Sequence, residues 1–307
     1  MLTTRLSLIA AIICIGIVTF LIEPAFASTR NLANILTQSA PIGVVAIGMT
    51  FVIIAGAIDL SVGSVAALAG IVFANVLLAS DSYLSAIFFT VGCCLLLGLV
   101  NGVLSTRLNL APFLATLGMM GVARGLAFVV SGGEPISGIA AELRILFQPW
   151  LGLVTPAAVV LILLAFFCQV FLSSTVWGTR LIAIGSNEVA ARLSGLKVVR
   201  YKITSFVIAG LAAGLGGLLL VSRLGSAQPL AGNLYELDAI AAAVIGGGSL
   251  NGGRGDMLGT LLGVILIVEL RNAVTILGLP THAQPIFIGI LLIVAVSIDF
   301  NRKKLIR

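Results

Sequence analysis

The chain has 307 residues, of which 60% are hydrophobic and 9% are charged, and its mean hydropathy is +1.22. This composition, with its 35 glycines, excludes a water-soluble domain and indicates a polytopic membrane protein in which glycine lets helices approach closely. The net charge of +6 does not indicate a nucleic-acid partner, because the cations lie in short loops between apolar segments. We therefore expect an all-α fold within a lipid bilayer.

A helix needs about 20 apolar residues to cross the hydrocarbon core of a bilayer. Ten segments meet or approach this requirement, at residues 6–22, 40–58, 62–79, 84–104, 110–131, 151–173, 203–221, 237–249, 257–279 and 285–299. We expect about ten transmembrane helices that form one domain over residues 1–307, and the short segments 62–79 and 237–249 either span fully or are re-entrant. The longest polar connection, the loop 174–202, belongs to this domain.

The first segment has features of a signal peptide. Arg5 precedes an apolar run, and Ala25-Phe26-Ala27 has the pattern of a cleavage site. The run over residues 6–22 is longer than the usual signal core of about 7 to 15 residues. We therefore expect the segment to be retained as the first crossing helix.

The distribution of cations predicts the orientation. With the N-terminus in the cytoplasm, the outer side receives three cations, Arg30, Arg144 and Arg223. The inner side receives twelve, namely Arg5, Arg107, Arg180, Arg192, Lys197, Arg200, Lys202, Arg254, Arg302, Lys303, Lys304 and Arg307. Because Lys and Arg concentrate in cytoplasmic loops, we expect both termini and the loop 174–202 to be cytoplasmic.

The loop 174–202 contains the pattern of a short capped helix. Asn187 is placed to cap its N-terminus and Gly195 to end it, while Glu188 and Arg192 stand four residues apart on one side. Val189 and Leu193 form an adjacent apolar pair. A small amphipathic helix in a cytoplasmic loop favours docking of a soluble partner. The alternative is a solvated loop that its cations hold at the lipid surface.

Two short apolar segments begin with acidic residues. Asp59 precedes the segment 62–79, Asp238 lies at the start of the segment 237–249, and the expected topology makes the two segments cross in opposite directions. This pattern is typical of inverted repeats with interrupted helices, and the alternative is chance similarity between two segments rich in Leu, Ala and Gly. We expect Asp59 to cap a helix that starts at Ser61, with Ser61 satisfying free backbone amides, and Asp238 to cap its own helix.

No catalytic, cofactor or metal site is expected. The glycine-rich run 246–255 lacks the Gly-Lys-Ser/Thr sequence of a phosphate-binding Walker loop, since no lysine in the chain follows a glycine. His282 is the single histidine, and no cluster of Cys, His or acidic residues surrounds it in the sequence. We therefore do not expect an enzyme.

Several strings resemble the membrane (permease) subunits of ribose-type ABC importers, which take up monosaccharides in bacteria. Nearly the whole chain takes part in this resemblance. The matching stretches are residues 46–53, 56–64, 112–117, 185–188, 191–195, 226–229 and 235–241. The most specific are the strings Ile58-Asp59-Leu60-Ser61-Val62-Gly63 and Tyr235-Glu236-Leu237-Asp238-Ala239-Ile240-Ala241.

The resemblance implies a non-catalytic subunit of the bacterial inner membrane. It implies three protein partners, which are a tandem-domain ATPase, a periplasmic sugar-binding protein and a second permease copy or close paralogue. It also implies that residues 185–195 form the coupling helix in a cleft of the ATPase, with apolar and polar contacts from Asn187, Glu188, Val189, Arg192 and Leu193. Transport would follow alternating access.

A sugar path needs weak and replaceable polar contacts. The candidates for the path, or for structural roles, are Asp59, Ser61, Asn101, Thr116, Gln228 and Asp238, with Ser131 and Thr204 as further possibilities. The alternative function is an ion-coupled secondary transporter of a small polar solute, which Arg124, Glu269 and Arg271 favour by their intramembrane positions. We expect Arg124 to pair with Glu269 across helices.

Overall fold

The computed structural model describes residues 2–139, 141–150 and 152–304, and the regular structure of these ranges is helical apart from two isolated backbone bridges. The α-helices are α1 (Leu2–Ile22), α2 (Thr29–Ile54), α3 (Val62–Ser80), α4 (Tyr83–Thr106), α5 (Pro112–Ser131), α6 (Pro156–Ser174), α7 (Val176–Ser186), α8 (Glu188–Leu193), α9 (Val198–Leu224), α10 (Tyr235–Ile245), α11 (Met257–Ile276) and α12 (Gln284–Lys304). Short 3-10 helices occupy Pro24–Ala27, Ala141–Phe147 and Thr281–Ala283. The predicted all-α membrane fold is confirmed.

Eight helices in the described ranges are long and apolar enough to cross a membrane, namely α1 to α6, α9 and α11. A shorter apolar stretch covers Thr281–Val294 and includes the start of α12. The structure differs from the sequence prediction at residues 237–249. There, α10 has 11 residues and is about 16 Å long, roughly half the thickness of the hydrocarbon core, so it cannot cross alone.

Helices α2 and α9 form the centre of the bundle. Residues 39–54 of α2 are all buried, and α2 packs against α9, α6, α10 and α11. Helix α9 packs closely on α4 through glycine, since a Cβ added at Gly98 would lie 2.6 Å from the carbonyl oxygen of Phe206. Small residues at such crossings are typical of membrane helices, whose association depends on van der Waals contact.

Irregular backbone interrupts the bundle at two places, which we call the first break (residues 55–61) and the second break (residues 225–234). The first break follows α2 and leads into α3, and the second follows α9 and leads into α10. The first turn of α3, directly after the first break, meets the second break at two glycines, because a Cβ at Gly63 would lie 2.5 Å from the carbonyl oxygen of Gly232. Non-helical backbone at such depth requires polar partners from the surrounding protein.

The two breaks have corresponding packing partners. Helix α9 packs against α3 and α4, as α2 packs against α10 and α11. Helix α5 packs against α3, as α12 packs against α10. This correspondence favours the inverted repeat, which stays a prediction.

One face of the bundle, which we call the α8 face, carries the ends of α2, α7 and α8. The carbonyl oxygen of Ile54 at the end of α2 accepts a hydrogen bond from the Gly253 amide at 2.9 Å. A Cβ at Gly185 near the end of α7 would meet the same two backbone groups. The N-terminal part of α1 lies at this face too, since Arg5 forms a 2.7 Å salt bridge with Asp256, the N-cap of α11.

Candidate functional site

Helix α8 has the caps that its sequence predicts. The Asn187 side chain accepts a hydrogen bond from the Ala190 amide at 3.0 Å, which satisfies one of the free N–H groups at the helix start. Gly195 has a φ of 81°, a left-handed conformation in which a side chain would be strained. These two residues fix the two ends of α8, a helix of six residues.

Glu188 links α8 to the start of α9. Its carboxylate lies 2.9 Å from Arg192 within α8 and 2.5 Å from Lys202 in α9. The hydrogen bond from Lys202, with support from Arg192, holds the pKa of Glu188 below its usual range. The link to Lys202 is not visible in a local sequence pattern, because the two residues are 14 positions apart.

The apolar side chains of α8 divide between the protein and the solvent. Ala191 is buried against the bundle, whereas Val189 is 70% exposed and Leu193 is 85% exposed. An exposed apolar pair on a charge-fixed helix suits insertion into a pocket of another protein. These two residues with Asn187, Glu188 and Arg192 form what we call the α8 knob.

At the first break, three candidate residues meet in one buried cluster. Asp59 accepts hydrogen bonds from the Ser61 amide at 2.8 Å and from the Ser61 hydroxyl at 2.6 Å. The Asn101 side-chain amide of α4 donates to the Ser61 hydroxyl at 2.8 Å. All three side chains are 1% exposed. Asp59 therefore accepts a backbone N–H at the start of α3, as a capping role requires.

The expectation for Ser61 was wrong in one respect. Helix α3 begins at Val62 with Ser61 as its N-cap, yet the Ser61 side chain accepts no hydrogen bond from the helix amides. Its hydroxyl instead donates to Asp59, because the carboxylate is the stronger acceptor within reach.

Thr116 and Gln228 lie at different breaks. The Thr116 hydroxyl of α5 accepts a hydrogen bond from the Leu60 amide at 3.1 Å, which joins α5 to the first break. Gln228 lies in the second break and donates to the Ser226 hydroxyl at 3.3 Å. The structure therefore groups Asp59, Ser61, Asn101 and Thr116 and leaves Gln228 apart. Ser131 and Thr204 bond to backbone oxygens of their own helices.

Asp238 is not the helix cap that we expected. Helix α10 begins at Tyr235 after Leu234, which makes no side-chain cap, so Asp238 lies at the fourth helical position. Its carboxylate instead forms a 2.6 Å salt bridge with Arg271 of α11. A charged partner offsets the cost of burying a carboxylate, and the packing of α10 on α11 supplies one.

The expected pair of Arg124 and Glu269 is also absent from the described residues. Arg124 of α5 donates to the carbonyl oxygens of Pro229 at 2.6 Å and Ala231 at 3.0 Å, and so holds the second break. Glu269 of α11 faces α1 beside Gly16. The sequence did not indicate the partners of Arg124, because every residue type has a backbone carbonyl group and so no residue pattern marks the acceptor.

Sequence reasoning missed Glu236 as part of the meeting point of the breaks. Glu236 is 8% exposed, and a Cβ added at Gly63 would collide with its carboxylate. The available signal was an acidic residue next to Tyr235 in a chain with few charges. Each break thus places a buried carboxylate, Asp59 or Glu236, close to the start of the helix that follows.

Comparisons with known proteins agree with this architecture. Residues 31–296 match the family described as the permease component of branched-chain amino acid transport systems. The chain is 42% identical over 293 residues to the ribose import permease protein RbsC of Bacillus subtilis (strain 168), covering 94% of this chain and 89% of that protein.

Two further relatives are similar over most of their length. Identity is 39% over 306 residues to the ribose import permease protein RbsC of Escherichia coli (strain K12), with 97% of this chain and 94% of that protein covered. It is 36% over 289 residues to the L-arabinose ABC transporter permease protein AraH of Azospirillum brasilense, with 91% and 83% covered. The chain is a multi-pass membrane protein and belongs to this family of transport-system permease components.

Proposed function

We propose that this permease is the membrane subunit of an ATP-driven ABC importer that passes a monosaccharide, ribose or a similar sugar, into the bacterial cytoplasm. Relatives named as ribose and arabinose permeases, which cover most of the chain, support a sugar as substrate. The observation that carries the proposal is the α8 knob, which presents two exposed apolar side chains on a capped helix.

Under this proposal the chain itself does not hydrolyse ATP. A tandem-domain ATPase on the cytoplasmic side receives the α8 knob, with residues 174–202 as the coupling loop. A periplasmic binding protein delivers the sugar to the opposite face, and a second permease copy or close paralogue completes the path. The α8 face is then cytoplasmic with both termini, as the cation distribution predicts.

Contacts of α8 suggest how movement reaches the path. Glu188 ties the knob to Lys202 at the start of α9, so that displacement of α8 pulls on α9. Helix α9 packs against α2, α3 and α4, and a Cβ at Gly217 would collide with the backbone of Ala66 in α3. Tight packing transmits rigid-body tilts, which would move the two breaks between outward and inward openings.

A substitution of Leu193 tests the coupling role. Truncation of a packed apolar anchor at an interface often costs about 2 kcal/mol or more, which is roughly a thirtyfold loss of affinity. We expect Leu193→Asp to release the ATPase and abolish ATP-dependent sugar uptake in proteoliposomes, while Leu193→Met retains both. Leu258→Asp is the matched control, because Leu258 is a 46% exposed leucine near the start of α11, on the α8 face but outside the coupling loop 174–202. Full ATPase retention by Leu193→Asp would exclude α8 as the docking element.

An ion-coupled secondary transporter is the second candidate function. Glu269 favours it, since this carboxylate is 5% exposed and its Oε2 has no hydrogen-bond partner in the described part of the chain. Buried ionisable groups in membrane helices often mark ion pathways. Sugar uptake by the purified permease alone, driven by a proton or sodium gradient without ATPase, would establish this function and overturn the first.

A further inference from the structure

A basic cavity of about 450 Å³ opens on the α8 face beside α8 itself. Its lining includes Arg107 at the end of α4, Arg192 of α8, and Lys197 and Arg200 at the start of α9. These residues come from three separate elements, so the cavity is a product of tertiary packing and not of one charged loop.

The charges that line the cavity are not balanced. Arg192 is paired with Glu188, but in the described ranges Arg107, Lys197 and Arg200 form no salt bridge, and the lining contains no acidic side chain. Repulsion among these three cations destabilises the empty cavity. They also lie near the N-terminus of the 27-residue helix α9, where the helix dipole favours anions over cations.

The cavity borders the membrane. Arg107 follows the last residue of the crossing helix α4, and Ile203 in the second turn of the crossing helix α9 lines the wall. On the other side of Arg107 the chain turns into α5 through Leu108 and Leu110, which are 62% and 47% exposed. An anion in the cavity therefore has an apolar protein surface next to it.

We propose that the basic cavity binds a phosphate-bearing anion, the head group of an anionic phospholipid from the leaflet on the α8 face. The guanidinium groups of Arg107 and Arg200 suit bidentate contact with phosphate oxygens, and Lys197 adds a point charge. The acyl chains lie against the exposed apolar residues of the turn between α4 and α5. Basic pockets at the ends of membrane helices bind anionic head groups in this way.

The apolar border favours a lipid over an acidic segment of a protein partner. The exposed apolar side chains of α8 are Val189 and Leu193, whereas Leu108 and Leu110 are exposed in the turn that directly follows Arg107 of the cavity lining. An acidic segment of a water-soluble protein would pair with the cations but would not bury these leucines. One lipid molecule can pair its head group with the cations and cover the leucines with its acyl chains.

The test measures lipid retention by the full permease in mild detergent. Native mass spectrometry would follow titration with phosphatidylglycerol, phosphatidylcholine or inorganic phosphate. We expect phosphatidylglycerol to bind as one tight adduct per chain, at least tenfold more strongly than phosphatidylcholine, with little competition from millimolar phosphate. Removal of each cation should weaken the binding of phosphatidylglycerol about fivefold. Arg200→Gln should therefore lower the affinity, and the triple variant Arg107→Gln/Lys197→Gln/Arg200→Gln should nearly abolish the adduct.

Arg254→Gln is the matched control, because Arg254 is an exposed cation of the α8 face that does not line the cavity. It should retain phosphatidylglycerol as the unchanged protein does, and melting curves of all variants establish that they fold. Equal retention by the triple variant and by Arg254→Gln would overturn the proposal. Competition by phosphate at the lipid's own concentration would assign the site to a free anion. Unchanged lipid binding with loss of the ATPase in the triple variant would assign the cations to the protein partner.

Discussion

Helices α3 and α8 both begin beside a side chain that accepts a backbone N–H, but the two side chains have opposite surroundings. At α8, exposed Asn187 accepts a hydrogen bond from a free amide, and water is available to replace it. At α3, Asp59 accepts the Ser61 amide at 1% exposure, where no water reaches the group. A lost acceptor costs more inside the bundle, because a buried unpaired amide pays its full desolvation penalty.

The same contrast applies to ion pairs. Glu188 and Lys202 meet at the α8 face, where the Glu188 side chain is 39% exposed. Asp238 and Arg271 meet inside the bundle, where the Asp238 side chain is 1% exposed. Removal of one partner therefore lowers the free energy of unfolding little at the surface and strongly in the interior.

The largest loss of stability is expected on substitution of Asp238. Asp238→Ala leaves the partly buried Arg271, whose side chain is 21% exposed, without its carboxylate partner, which should lower the free energy of unfolding by about 3 kcal/mol. Denaturant unfolding of the purified permease in detergent would measure the loss. Glu188→Ala is the exposed counterpart and should cost less than about 1 kcal/mol. Equal losses in the two variants would remove the contrast between interior and surface pairs.

The next effect is at Asp59. Asp59→Ala removes the acceptor for the Ser61 amide and hydroxyl, and should cost about 1 to 3 kcal/mol in thermal unfolding. Asp59→Asn keeps an acceptor oxygen and should be tolerated better. If Asp59→Asn abolishes sugar uptake while its melting temperature stays unchanged, the negative charge itself acts in transport, and Asp59 belongs to the path.

A smaller effect is expected at Asn187. Asn187→Ala removes the exposed cap of α8 and should cost about 1 kcal/mol of helix stability, so affinity for the ATPase should fall about fivefold. Asn187→Asp retains an acceptor and should bind as before. Surface-plasmon measurements of ATPase binding to both variants would compare them. An Asn187→Ala loss as large as that of Leu193→Asp would mean that Asn187 contacts the partner directly.

The smallest effect is the pH dependence of Glu188. Lys202 holds the pKa of Glu188 below its usual range. The ion pair therefore stabilises α8 fully above the ordinary Glu pKa of about 4.5, and this stabilisation is lost as the pH falls through the lowered pKa of Glu188. The exposed setting limits the change to a few tenths of a kcal/mol. Hydrogen exchange of α8 amides, corrected for intrinsic rates, should show no change between pH 6 and 8 and weaker protection below pH 4. Glu188→Gln should remove this dependence.

Local chemistry in the sequence was enough to predict α8. Its cap, its terminal glycine and its i,i+4 pair are all formed by residues within a few positions of one another. The crossing helices could likewise be predicted, because hydrophobicity over about 20 residues is itself a local property. The end of α10 was harder to predict, since the apolar segment 237–249 is already shorter than a crossing helix and α10 stops at Ile245, where the glycine run begins.

The sequence by itself determined the membrane fold, the permease family and the α8 knob. Only the tertiary structure decided that Asp238 pairs with Arg271, that Arg124 holds the second break, and that Asn101 donates to Ser61 beside Asp59. The partner of a buried polar group depends on which helices pack beside it, because lipid offers no hydrogen-bonding group that could replace a protein partner. Helix packing makes that choice between residues that are 33 to 105 positions apart, and no local sequence pattern indicates such distant pairs.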